Sequence, residues 1–341
     1  MKTTGFLALA GLAAVGSAHF TWDKIAVGGK QVGGDNQYIR KHDNYYLPIK
    51  FNKTPEGSIT PNDAGFACNK NARPAPDVLK VKANDMVSLN LGFGAKRMEH
   101  PGSVQVYVSP VANAKADSGK DWYKIHQALI CKQGNAESLR STAWCMWGEG
   151  GISAPIPETL PNGQYLMRAE QISLHGAHDG QAEFYVACAQ IEVTGNSATS
   201  IQGTAVQFPG AYKSTDKAVN FSVWGRSTSF DVIPGPDVIP GGTIRGSANG
   251  AGGDKTVKVA ANGAGGGNAA APSTPAPSTP ANNSGNNNNG GSNNNNSGKN
   301  NSGNGNGDKN QQPGKSTSPG PDCNKKRSLR ARRAAMAAAQ Q

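Results

Sequence analysis

Acidic and aromatic residues are both scarce in this chain. Its 341 residues carry 23 Asp and Glu against 34 Lys and Arg, a net charge of +11, and Phe, Trp and Tyr make up only 6%. Scarce carboxylates bear on chemistry: a glycosidase needs two of them placed across a cleft, and no convincing pair is found here. Cysteine is rare as well. Five occur, with no CxxC pair and no Cys/His alternation, so a zinc-ligand pattern is excluded. Beyond the apolar run at residues 6–15, nothing is long enough to cross a bilayer. No hydrophobic tail follows the basic residues near the end, so no lipid anchor and no membrane partner are expected. Long stretches of 3.6-residue periodicity are missing, which argues against a doubly wound α/β fold. The excess of positive charge gathers at Lys325, Lys326, Arg327, Arg330, Arg332 and Arg333. A charge run outside the foldable part reads as a solvated tail, and no nucleic-acid partner is expected.

What is present is a series of short apolar runs, at 25–27, 32, 46–49, 78–81, 86–91, 104–108, 164–174, 183–193 and 221–223. Val104, Val106 and Val108 alternate with period two. Gly28-Gly29, Gly33-Gly34, Pro101-Gly102, Pro161-Asn162-Gly163 and Pro209-Gly210 supply turns between the runs. Many short strands with Gly/Pro turns predict an all-β sandwich, with residues 52–76 and 121–157 as long decorating loops. The apolar content of the chain stops near residue 242. From 243 to 322 the chain is mostly Gly, Asn, Ser, Pro and Ala, a composition that cannot bury enough surface to offset chain entropy. That segment is expected to be a disordered linker, and 323–341 a basic tail.

The first 18 residues read as a secretory signal: Met1-Lys2, an apolar run, then Gly16-Ser17-Ala18 as the small residues before a cut. The folded domain then spans 19–242, in a secreted, extracellular, monomeric protein. Sequons at Asn52-Lys53-Thr54 and Asn220-Phe221-Ser222 agree with export and predict a glycoprotein. Cysteines in such a chain are expected to be oxidised. Cys131 and Cys145 flank a short loop and are paired; Cys68 and Cys188 then tie an early segment to a late strand, leaving Cys323 in the tail.

A cut after Ala18 makes His19 the N-terminus. An N-terminal histidine offers two nitrogens to one metal ion, its amine and its ring, and a further histidine nitrogen in the same plane favours Cu(II). Five more histidines occur: His42, His100, His126, His175 and His178. His100 stands before Pro101-Gly102, at the mouth of a strand. Between 162 and 193 two strands are joined by a loop around 176–180. His175 closes the first, and Glu183 and Tyr185 lie two apart on one face of the second. A buried Tyr–Glu–His hydrogen-bond network without a metal is the competing reading of that group.

These residues together resemble the lytic polysaccharide monooxygenases of auxiliary activity family 9. The resemblance runs from His19 to about residue 242 and rests on terminal His19, His100 before Pro-Gly, NGQYLMRAEQISLH at 162–175, EFYVACAQI at 183–191, FPGAY at 208–212 and PGP at 234–236. It implies an immunoglobulin-like antiparallel β-sandwich and one copper ion held by His19 and His100. It also implies Tyr185 as the axial residue, His175 beside the oxygen site, and a disulfide matching Cys68 with Cys188. The activity implied is oxidative cleavage of a β-1,4-glucan such as cellulose at C1 or C4, with O2 or H2O2 and an external electron donor. Aromatic candidates for contact with the glucan are Tyr38, Tyr45 or Tyr46 early in the chain, and Trp224 or Phe230 late in it. The sequence departs from the family at Glu183, where glutamine is usual: an amide can donate a hydrogen bond, an ionised carboxylate can only accept. A second reading therefore stays open, a secreted copper-binding or polysaccharide-binding protein with reduced or lost oxidative activity.

Overall fold

The computed structural model describes residues 19–52, 55–92 and 94–260. All of them fall in one compact unit; a second unit, Thr274–Gln341, lies outside the described residues. So do the signal segment 1–18, most of the linker, the basic tail and Cys323.

Two sheets face each other. The smaller contains β1 (Trp22–Val27), β2 (Lys30–Val32), β4 (Met86–Leu91) and β7 (Gly151–Pro155), in the antiparallel order β2-β1-β4-β7. The larger is built on three long strands, β5 (Gly102–Val111), β8 (Gly163–Ser173) and β9 (Glu183–Thr194). It is completed by β3 (Leu79–Lys82), β6 (Trp122–Ala128), β10 (Ala205–Val206), β11 (Thr243–Arg245) and β12 (Thr256–Lys258). Its order is β12-β11-β6-β5-β8-β9-β3, with β10 also pairing β6.

The period-two pattern decides which side chains face which layer. Val104, Val106 and Val108 on β5, and Tyr185, Ala187, Ala189 and Ile191 on β9, point into the core between the sheets. Their alternates, Tyr107 on β5 and Phe184, Val186 and Cys188 on β9, enter a second core with Phe66, Phe208, Tyr212 and Phe230. The larger sheet is thus covered on both faces, by the small sheet on one and by loops on the other. Each fully buried large apolar side chain there contributes roughly 1.5–3 kcal/mol. The disulfides Cys68–Cys188 and Cys131–Cys145 form as expected, the first fastening the loop layer to β9.

Several expectations are corrected. Residues 121–157 contain β6 and β7 as well as loops; β6 (WYKIHQA) hid because its buried face carries Lys124 and His126. The fold does not end at residue 242. β11 and β12 extend the larger sheet, and Arg245 clamps them through two hydrogen bonds to Asp254 and one to Glu149. These three-residue strands are diluted by glycine, so composition alone missed them. The segments 46–49 and 221–223 are not strands, although Ile49 makes an isolated bridge to Phe184. The sandwich is antiparallel apart from two pairs, β3 with β9 and β11 with β6, where crossovers bring β3 to one edge and β11 to a place between β6 and β12. Among the described residues no helix is long and apolar enough to cross a membrane.

Candidate metal centre at one end of the sandwich

Strand register assembles the site. Gly102 pairs with Ser173, and Ser173 pairs with Glu183, so β5 begins where β8 ends and β9 begins. His100 lies two residues before β5, His175 two after β8, and Glu183 and Tyr185 open β9. Gly102 permits the approach. A Cβ there would sit 1.9 Å from the Ile172 carbonyl oxygen, at φ +153°, so only glycine lets the strands close. Leu174 N–H donates to the Pro101 carbonyl at 2.7 Å, and Gln171 Nε2 to that of His100 at 3.2 Å, fixing the loop that carries His100.

His19 reaches this end from the other sheet, three residues before β1. Phe20 stacks on Tyr185 with ring centroids 4.2 Å apart and planes 18° apart, and Thr21 Oγ1 lies 3.2 Å from buried His42 Nε2. The His19 ring stands 6.0 Å from that of His100, 6.3 Å from Tyr185 and 6.3 Å from Tyr46, centroid to centroid. His175 stacks on His100 at 4.9 Å.

Glu183 sits at the centre with its side chain 4% exposed. Its Oε1 is 2.8 Å from Lys50 Nζ and 3.7 Å from His175 Nε2, and its Oε2 is 3.9 Å from His100 Nε2. The Tyr185 hydroxyl donates to Oε2 at 2.9 Å. Burial opposes ionisation of this carboxyl, but His175 and Lys50 outweigh it and hold Glu183 well below the usual carboxylate range. The glutamate is therefore an acceptor. Burial also pushes the His100 imidazole down to about 4, against the attraction of Glu183, so its ring is neutral at working pH. Burial and the Glu183 charge raise the Tyr185 phenol well above its ordinary value, keeping it protonated.

A copper ion suits this donor set. His100 is a neutral imidazole whose buried Nδ1 has no hydrogen-bond partner, next to a second imidazole from His19 and a protonated phenol. Neutral nitrogen ligands are what copper prefers. Among the described residues, His100, His175 and Glu183 also bring three ligand atoms within 4.8 Å of one another.

The aromatic candidates divide. Trp224 is 51% exposed on the site face, its Nε1 donating to the His175 carbonyl at 2.6 Å and Arg140 packed 5.5 Å from its ring. Tyr45 is 60% exposed and shares a small depression with Phe20, Leu47 and Tyr185. Tyr46 stands beside His19. Phe230 is fully buried between Trp144 and Phe221 and presents no face to a glucan. Tyr38 is half-buried, its carbonyl accepting from Gln190 N–H, seven residues along β9 from Glu183 and away from the site. Sequence reasoning missed Phe20, His42 and Lys50. Phe20 next to a terminal histidine was the one available signal; Lys50 had none, because its place depends on the bridge between Ile49 and Phe184.

The family model for Auxiliary Activity family 9 (formerly GH61) matches residues 19–230. AA9 family lytic polysaccharide monooxygenase D of Emericella nidulans is 40% identical over 251 residues, covering 72% of this chain and 84% of that protein. AA9 family lytic polysaccharide monooxygenase A of Aspergillus fumigatus is 40% identical over 242 residues, covering 68% and 80%. In fold, the structure of a glycoside hydrolase family 61 member, Cel61B from Hypocrea jecorina, superposes with a TM-score of 0.53 at 22% identity, over 64% of this chain and all of that one. With the matched segment opening at the histidine that meets His100 and Tyr185 at one end of the sandwich, the chain belongs to auxiliary activity family 9, the lytic polysaccharide monooxygenases.

Proposed function

We propose that this is a secreted, copper-dependent monooxygenase that cleaves β-1,4-glucan oxidatively at C1 and/or C4, using O2 or H2O2 and an external electron donor. The observation that carries the reading is the convergence of His19, neutral His100 and protonated Tyr185 at one end of the sandwich. His19, through its ring and the amine freed by a cut after Ala18, and His100 would hold the metal. When bound, copper supplies the one-electron chemistry that activates oxygen or peroxide toward a sugar C–H bond.

The protein's own groups do the rest. Tyr185, clamped between Phe20 and Glu183, closes one side and keeps its proton. His175, 35% exposed, is the group at the site best placed to carry a proton to and from solvent. Glu183 orients Tyr185 and His175 as an ionised acceptor and is not itself the proton donor. Trp224, Tyr45 and Tyr46 offer apolar ring faces against which flat sugar rings pack. Export would also expose Asn52 and Asn220 to glycosylation, and both are exposed.

The test is mass spectrometry of soluble products from cellulose with copper and reductant. Oxidised oligosaccharides are expected, absent when either is withheld and absent for His100→Ala. N-terminal sequencing of the exported protein is expected to read His19-Phe20-Thr21-Trp22. Tight copper binding with no oxidised product would favour the second reading, for which the acceptor-only Glu183 is the supporting observation.

A further inference from the structure

A carboxylate with a side chain only 4% exposed should not stay ionised without a counter-charge. Lys50 supplies one, and the backbone sets it in place. Ile49 and Phe184 exchange both hydrogen bonds of an antiparallel bridge, Ile49 N–H to the Phe184 carbonyl at 2.9 Å and Phe184 N–H to that of Ile49 at 2.8 Å. An antiparallel bridge at 49 and 184 sets residue 50 opposite residue 183. The two side chains meet there, Lys50 Nζ 2.8 Å from Glu183 Oε1.

We propose that Lys50 is the positioning residue that holds Glu183 at the site as an ionised acceptor, and that the Lys50–Glu183 pair acts as one electrically neutral unit beside the metal. The proposal rests on the copper reading above. A neutral amide and an ion pair have the same net charge, so substituting both residues should change the site less than substituting either. The pair also restores what a bare carboxylate lacks. Lys50 brings three N–H donors to the rim of the site with its side chain 22% exposed, and Glu183 occupies one of them.

A charge cycle tests this: Lys50→Met, Glu183→Gln, and the two together, with Lys50→Arg as the conservative control. Copper-loaded protein is titrated for Cu(II) and Cu(I) affinity. Lys50→Met leaves an anion at the site and is expected to raise the ratio of Cu(II) to Cu(I) affinity roughly tenfold, which corresponds to about 59 mV lower potential for a one-electron couple. Glu183→Gln leaves a cation and is expected to shift the ratio the opposite way. The double variant and Lys50→Arg are expected to return to within about threefold of the parent. Thermal unfolding of the metal-free proteins is the second readout. Lys50→Met alone is expected to lower the midpoint, and adding Glu183→Gln to restore most of the loss. Additive effects in both measurements, or no effect of Lys50→Met in either, would overturn the pairing. A parent protein that bound no copper would overturn the copper reading and the claim about potential, while the metal-free unfolding cycle would still decide the pairing itself.

Discussion

His126 makes the protein acid-sensitive at a point far from the metal centre. It lies in β6 with 3% exposure, and its Nδ1 meets Thr243 Oγ1 of β11 at 2.8 Å. Burial, reinforced by the Arg245 charge and only partly opposed by Thr243, pushes its imidazole from 6.5 down to about 4. The sign follows from the two states. Between pH 6.5 and 4 the unfolded chain takes up a proton that the folded one refuses, so stability falls as pH falls through that window and levels off below it. At about 1.4 kcal/mol per pH unit the loss amounts to about 3 kcal/mol. His126→Gln removes the titrating group. Urea unfolding of metal-free parent and variant from pH 3.5 to 7.5 checks it. At pH 7 the variant is expected to be less stable, through lost packing. By pH 4 the difference should have moved about 3 kcal/mol in the variant's favour. A gap between the two proteins that stays constant across the window would refute the reasoning, because packing loss has no pH dependence.

Other consequences follow from the same structure. Gly102→Ala is expected to cost about 1–3 kcal/mol in thermal unfolding and to weaken copper binding at least tenfold, since relieving the clash with Ile172 moves the loop that carries His100. Arg168→Met leaves buried Glu170 with the Tyr212 hydroxyl as its hydrogen-bond partner among the described residues and is expected to cost about 3–5 kcal/mol in urea unfolding; adding Glu170→Gln should recover part of it. Trp224→Ala is expected to reduce retention on cellulose by roughly 5- to 10-fold while leaving copper affinity unchanged, measured by pull-down and titration.

The fold class and part of the candidate site were legible in the sequence. His175, Glu183 and Tyr185 could be placed together because two long alternating strands and the loop between them fix an antiparallel register, whereas His100 was joined to them only by the family resemblance. β6 was not legible, because Lys124 and His126 interrupt its apolar pattern and depend on the remote partners Pro234 and Thr243. Lys124 Nζ donates to Gln127 Oε1 of the same strand at 3.1 Å and to the Pro234 carbonyl at 2.6 Å, the second a contact that no local pattern reveals. Phe230 and Trp224 show the same limit. Both are aromatics in one late segment; what separates a buried ring from an exposed one is the position of Trp144 and Arg140, which belong to the disulfide loop closed by Cys131 and Cys145.

The two arms of the candidate metal centre come from different sheets. His100, His175, Glu183 and Tyr185 belong to the larger sheet and are fixed by its register. His19 hangs from β1 of the smaller one, and its position depends on how the layers pack. The seam is the stack of Phe20 on Tyr185, made by a residue buried to 1% immediately after the histidine. That stack sets the direction in which the chain before Phe20 must leave, and it is what brings the His19 ring over His100. Phe20, Thr21 and Trp22 anchor the strand from their own side. A terminus one residue longer would keep the ring in place and lose the amine beside it; one residue shorter would lose both. The packing of Phe20 thus fixes where His19 stands, and a terminus at His19 is the one that would give the proposed copper site both of its nitrogens.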